Sequence, residues 1–221
     1  MIDTHCHIDD PHYTADLAAV IARQQADGVE AILVPGVNEE SCRTVPEVCC
    51  QFPGYLYPAL GLHPEDVRAD YEAVLSRIRR VVYDYADLFP TSSPLCAIGE
   101  IGLDYHFSTE FKAEQQSVFR MQLDWAQELG LPVMVHSRDA VEDTLRIVRE
   151  SVTKSGGRLR GVMHCYSGSK EIAAEYLKLG WKLGIGGVLT FKNSRLAETL
   201  QAIPLDALVL ETDAPYMAPV P

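Results

Sequence analysis

The sequence predicts an α/β fold whose eight parallel strands close into a (β/α)8 TIM barrel, and three observations carry that expectation. Short runs rich in Val, Ile and Leu alternate with longer stretches of helical periodicity from one end of the chain to the other. Eight such runs occur, at 1–7, 31–35, 56–61, 95–100, 132–136, 160–164, 182–186 and 207–213. Polar residues able to bind metal stand where five of them finish: His5 and His7, Glu100, His136, His164 and Asp213. An open eight-stranded sheet in sequential order holds its outer strand ends about 34 Å apart, because strands lie about 4.8 Å from one another. Metal–ligand bonds are only about 2.0–2.2 Å long. Strand-one histidines and a strand-eight aspartate can therefore share an ion only if the sheet curls into a barrel or the strand order is shuffled as in a doubly wound fold. The barrel is the simpler solution, and it places catalytic groups at the C-terminal ends of its strands.

Between the strands, residues 14–26 put Leu17, Val20 and Ile21 on one side and stop before Gly28, a residue suited to a helix end. Helices are expected over 39–51 and 65–88, followed by a turn-rich loop at 89–94. The clearest helix spans 109–129: Ser108 and Thr109 can cap it, Val118, Met121, Trp125 and Leu129 share a face, and Gly130 ends it. Further helices are expected over 139–153, 170–179 and 194–201. No helical stretch follows the eighth strand, so an eighth covering helix is lacking and the outer face of that strand is expected to be under-covered.

The 221 residues, 47% hydrophobic and 23% charged, describe one globular domain over 1–221 and exclude disordered, collagen-like and coiled-coil classes. A chain of this length buries a sizeable core unaided, so any metal is expected to be functional. The formal charge of −12 argues against broad adhesion to nucleic acid or anionic membrane, though not against a local contact. No apolar stretch is long enough for a membrane span and the N-terminus lacks signal-peptide character, which predicts a cytoplasmic protein. The six cysteines form no C-x-x-C pair and read as small buried hydrophobes.

H-x-H alone is a weak signal. Alternation along a strand turns His5 and His7 the same way and Cys6 the other, so Cys6 is a poor co-ligand. A lone histidine such as His136 or His164 is more often a hydrogen-bonded core or cap residue. Four histidines and two acids at the ends of five apolar strands are harder to satisfy that way, since each unpartnered buried polar group costs about 2–7 kcal/mol. A shared metal centre satisfies them together.

The motifs Asp3-Thr-His-Cys-His7, Gly61-Leu-His-Pro64, Gly99-Glu-Ile-Gly-Leu-Asp104, His136-Ser-Arg138, His164-Cys-Tyr-Ser-Gly168 and Glu211-Thr-Asp-Ala-Pro215 together resemble the TatD family of metal-dependent deoxyribonucleases, in the same order along nearly the whole chain. The resemblance implies an amidohydrolase-type barrel with two divalent metal ions and no organic cofactor. His5, His7, Glu100 and Asp213 would hold one ion, with Glu100 bridging to a second held by His136 and His164. It implies 3'-5' exonuclease-like hydrolysis of DNA at single-stranded ends, by a monomer. Mixed imidazole and carboxylate ligands admit Mg2+, Mn2+ or Zn2+. Two such ions acidify a water and clamp the oxygens of an in-line displacement at phosphorus, with Asp213 the expected proton relay and Glu100 the bridge. A small-molecule amide, lactone or ester hydrolase is the alternative for the same activated water.

Substrate phosphates need positive partners. Residues 137–195 hold eleven Lys and Arg against six Asp and Glu. Of these, Arg138, Lys170, Lys192 and Arg195 follow strands on the catalytic rim, and the loop carrying Lys192 and Arg195 runs into a helix start, where barrels often hold phosphate. His63 faces the same rim and is expected to touch a phosphate or leaving group. Tyr105 and Phe107 are candidates to stack a base or to pack as a lid. Glu211 is a candidate to support a ligand, and Asp104 to orient one or to cap a turn.

Overall fold

The computed structural model describes residues 1–220. Its strands are β1 (Ile2–Asp3), β2 (Ala31–Pro35), β3 (Leu56–Leu60), β4 (Ala97–Asp104), β5 (Val133–Arg138), β6 (Gly161–Met163), β7 (Lys182–Ile185) and β8 (Leu208–Leu210). All neighbours pair in parallel, in the order β1 to β8. The ends meet: N of Thr4 donates to O of Leu210 (2.9 Å) and N of Asp213 to O of His5 (2.8 Å). Asp3 fastens the seam, its carboxylate accepting from N (3.0 Å) and Oγ1 (2.8 Å) of Thr212. Eight parallel strands thus form a nearly closed TIM barrel.

The covering helices are α1 (Leu17–Ala26), α2 (Ser41–Gln51), α3 (Tyr71–Tyr83), α4 (Tyr85–Leu88), α5 (Lys112–Leu129), α6 (Val141–Lys154), α7 (Lys170–Lys178) and the short α8 (Leu196–Leu200) between β7 and β8. After β8 the described chain has no further helix, and Ile2 and Leu210 beside the seam are half exposed. No helix is long and apolar enough to cross a membrane.

Alternation along the strands divides the apolar residues into two groups. Ile32, Val34, Ile98, Val133 and Val135 point outward and pack under helix residues such as Ile21, Val45, Ile78, Phe119 and Val148. Each such side chain, fully buried, contributes about 1.5–3 kcal/mol. Ala59, Ala97 and Met134, with Leu33 and Cys96, form a separate small cluster inside the barrel, beneath the site that His136 faces from the next inward position of β5.

Four expected elements differ. The first strand, expected over 1–7, pairs only at Ile2–Asp3 and the eighth, expected over 207–213, only at Leu208–Leu210, so His5, His7 and Asp213 lie in irregular chain just past the strand ends, where the seam contacts replace ladder pairing. The helix expected over 65–88 is a 3-10 turn at Pro64–Asp66 followed by α3 and α4. Nδ1 of His63 caps the turn, and the Arg68 guanidinium takes the carbonyls of Glu65 (2.6 Å) and Val67 (2.8 Å), which a continuous helix would need as acceptors. The strand expected over 95–100 starts at Ala97 and runs on to Asp104, because the register shifts between Ile98 and Ile101 and the chain then pairs again with β5. A bulge of this kind re-aims a side chain, and the one inside this shift is Glu100. Gly102, at φ +145°, passes so close to β5 that a Cβ would lie 2.0 Å from the carbonyl oxygen of His136.

Candidate metal centre

Backbone hydrogen bonds, mostly from the segments that leave the strands, fix most of the residues that face the mouth. N of Glu100 donates to O of Gly36 (3.1 Å), N of His164 to O of Val135 (2.9 Å), N of His63 to O of Val37 (2.7 Å) and N of His7 to O of Ala214 (2.9 Å). Helix α5 reaches in from outside: Gln122, fully buried, accepts from N of Leu62 (2.7 Å) and donates to its carbonyl (3.1 Å), pinning the residue before His63.

The structure brings His5, His7, Glu100, His136, His164 and Asp213 into one hollow. Nε2 of His5 lies 3.1 Å from Nε2 of His7, 3.3 Å from Oε2 of Glu100 and 3.6 Å from Oδ1 of Asp213. Nε2 of His7 is 3.5 Å from the same Asp213 oxygen and 3.9 Å from Oε2 of Glu100. The other oxygen of Glu100, Oε1, faces Nδ1 of His136 (3.1 Å), Nε2 of His63 (3.5 Å) and Nε2 of His164 (3.8 Å). One carboxylate therefore turns its two oxygens to two donor sets, and His164 lies between them, its Nε2 also 3.7 Å from Oδ1 of Asp213 and its ring stacked on His5. Donors about 2.0–2.2 Å from a shared cation sit about 3.0–3.6 Å apart, and most of these edges fall in that range. The residues fit a divalent cation: two imidazole nitrogens facing at 3.1 Å without one must share a proton or oppose lone pairs.

The titration of the metal-free cluster follows from the same contacts. Burial disfavours charge on Glu100, yet the imidazoles of His5, His164, His63 and His136 outweigh it and hold the carboxyl well below its usual range. Burial likewise opposes Asp213, and His7, His164 and His5 outweigh it and hold it low. Buried His5, facing the charge of His164, is pushed down.

Three further side chains orient these groups. Asp104 places Oδ2 2.8 Å from Nε2 of His136, which leaves Nδ1 to face Glu100, and Asp104 is itself held by Gln115, whose Oε1 accepts from its N (3.0 Å). Nδ1 of His63 accepts from N of Glu65 (3.2 Å), so in the neutral ring the proton sits on Nε2, and His63 offers the centre a hydrogen-bond donor instead of a lone pair. Glu211, buried, accepts from N of Cys165 (2.6 Å), and the same oxygen lies 3.2 Å from Nδ1 of His164, although off the hydrogen-bonding line. Gly184 makes room for it: a Cβ there would lie 2.1 Å from Oε2 of Glu211. Gln122, and the pairing of Asp104 with His136, carry no local sequence signal, because each depends on which distant strand or loop lies opposite.

A family model described as "TatD related DNase" matches residues 2–221. The chain belongs to the TatD family of metal-dependent hydrolases. Within that family it is similar to "Uncharacterized metal-dependent hydrolase YabD" of Bacillus subtilis, at 37% identity over all of this chain and 82% of that protein. It is also similar to "3'-5' ssDNA/RNA exonuclease TatD" of Musicola paradisiaca, at 31% identity over 99% of this chain and 80% of that protein. Among solved structures, that of the TatD homologue YjjV from Escherichia coli superposes with a TM-score of 0.86 and 32% identity, covering 100% of this chain and 81% of that one. Metal-dependent hydrolysis is therefore the chemistry of the family to which the chain belongs.

Carboxylate support of a ligating histidine has a measurable weight in such centres. Glu211→Gln is expected to weaken metal binding by about 10- to 100-fold, read by calorimetric titration of the metal-free protein. An unchanged affinity would reduce Glu211 to a structural acid.

The candidate substrate contacts lie outside the hollow, apart from His63. Arg138, at the end of β5, is exposed, with its guanidinium 5.1 Å from the centre of the Phe107 ring. Lys192 and Arg195 are exposed on the loop after β7, and Nε of Arg195 is 3.9 Å from Glu198. The helix start expected there to favour phosphate opens only the five-residue α8, too short for a strong macrodipole. Tyr105 is occupied, its hydroxyl donating to Asp143 (3.1 Å) beside Gln116.

Proposed function

We propose that the chain hydrolyses phosphodiester bonds of single-stranded DNA from the 3′ end, with two divalent cations held by His5, His7, Glu100 and Asp213 on one side and by Glu100, His136 and His164 on the other. The observation that carries this reading is the split of Glu100 between two donor sets. A pair of such cations, when bound, lowers the pKa of a water and draws charge from phosphoryl oxygens. Asp213 approaches His5, His7 and His164 through Oδ1 alone, so its second oxygen is left to take a proton as the water attacks. His63 donates from Nε2 to a non-bridging phosphate oxygen. Lys192 and Arg195 draw the strand to the rim, and a chain of net charge −12 with few local cations suits a short footprint. The relative named a 3'-5' ssDNA/RNA exonuclease supports both the substrate class and the polarity.

The test is an oligonucleotide labelled at either end, incubated with protein loaded in turn with Mg2+, Mn2+ or Zn2+. Mononucleotide release from the 3′ end is the expected result. Turnover of an amide, lactone or ester with the oligonucleotide left intact would move the site to small-molecule hydrolysis.

A further inference from the structure

Phe107 is 72% exposed at the mouth of the barrel, and the two residues before it are tied down. N of Tyr105 donates to O of Arg138 (3.0 Å), N of His106 donates to Oδ1 of Asp104 (2.8 Å), and Nδ1 of His106 lies 2.8 Å from Oδ2 of Asp139. The ring thus follows directly on an anchored pair of residues, with the His106 ring edge-on to it at 4.8 Å between centroids. Single exposed apolar residues are ordinary on protein surfaces. This one differs in its partner and its place: the Arg138 guanidinium lies 5.1 Å from its centroid, within cation–π range.

Strand register ties the pair to the centre. Arg138 pairs with Asp104 and His136 with Gly102, so alternation puts Arg138 on the same face as His136, about 6.6 Å further out along β5. A nucleotide whose phosphate lies over His136 therefore has its base within reach of Phe107.

We propose that Phe107 and Arg138 form a stacking platform for one nucleobase of the substrate strand, beside the metal centre on the β4–β5 side; this rests on the single-strand nuclease reading above. The pair presents one aromatic face and one planar cation, the two surfaces on which unpaired bases stack. Arg138 thereby serves the base and not a phosphate, which separates its role from those of Lys192 and Arg195. Stacking tolerates any base, so the platform adds grip without sequence preference.

The experiment measures KM for metal-loaded wild type, Phe107→Ala, Phe107→Trp and Arg138→Ala on one single-stranded oligonucleotide. It repeats the measurement on versions with a single abasic unit at each of the last three positions. Phe107→Ala is expected to raise KM by about 5- to 100-fold on the complete strand, and Phe107→Trp to restore it. On the version lacking the stacked base, wild type and Phe107→Ala should coincide. Arg138→Ala should leave the salt dependence of KM unchanged, whereas loss of a phosphate contact would flatten the slope of log KM against log salt by about 0.7. A Phe107→Ala penalty that is absent, or equal on every abasic version, overturns the platform alone. A flattened slope in Arg138→Ala overturns the part given to Arg138. A wild-type protein that cleaves no oligonucleotide with any of the ions overturns the nuclease reading and the platform with it.

Discussion

Asp213→Asn is expected to lower kcat on a single-stranded oligonucleotide by about 10²- to 10⁴-fold with the fold intact. The substitution keeps side-chain volume and one acceptor oxygen but removes the charge and the ability to take a proton. Asp213 sits at φ +58°, in the left-handed region that Asn also tolerates, and its N–H bond to O of His5 does not involve the side chain. The seam between β8 and β1 therefore survives the change. Because Oδ1 is the atom beside His5, His7 and His164, the amide can still present an oxygen to them, so bound metal should fall less than turnover does. Single-turnover rates, bound-metal stoichiometry and thermal melting measured on the same preparation separate these effects. A kcat within tenfold of wild type would remove Asp213 from proton transfer and leave it as a ligand only.

The centre was legible in the sequence to the extent that it lies on strand ends. Two residues apart just past β1, His5 and His7 turn the same way as strand alternation requires, and the other polar residues follow apolar runs that only a closed sheet can gather. The place of Glu100 was less legible. It is not the last residue of its strand but lies within the register shift of β4, and no propensity marks a shift that arises from re-pairing with β5. The role of His63 turns on a capping contact with N of Glu65, formed only because Pro64–Asp66 is a separate turn and not the start of a long helix. Asp104 and Glu211 were candidates by position alone; their partners, His136 and the Cys165–His164 corner, lie on other strands. Local pattern thus places a side chain on a strand, and only tertiary pairing decides which atom of it faces the centre.

Metal affinity is expected to rise steeply between pH 7 and 9, approaching a hundredfold for each pH unit. Burial works against protonated His136, but Asp104 and Glu100 outweigh it and raise its pKa to about 9; for His164, Glu211, Glu100 and Asp213 do the same, also to about 9. Both values lie above the unfolded imidazole value of about 6.5. The stability these two groups lend the metal-free protein is thus fully present below pH 6.5 and is lost as pH rises through 9. Glu100 and Asp213, held below their ordinary values, act in the opposite direction: their contribution is present above the unfolded carboxyl range and is lost in acid. The metal-free protein should accordingly lose stability toward pH 9, and also in acid, where the charging of His5, held low by burial and His164, adds to the protonation of the two carboxylates. A ligating imidazole must be neutral, so a cation entering at pH 7 displaces a proton from each of the two histidines, and each displaced proton multiplies affinity about tenfold per pH unit. Calorimetric titration at pH 7 in two buffers of different ionisation enthalpy counts those protons. At least two per chain are expected, since Asp213 and Glu100 outweigh burial and raise His7 as well, with about one fewer in His136→Ala. Metal binding without proton release would mean that these two imidazoles are already neutral in the folded chain, or that they do not hold the ion.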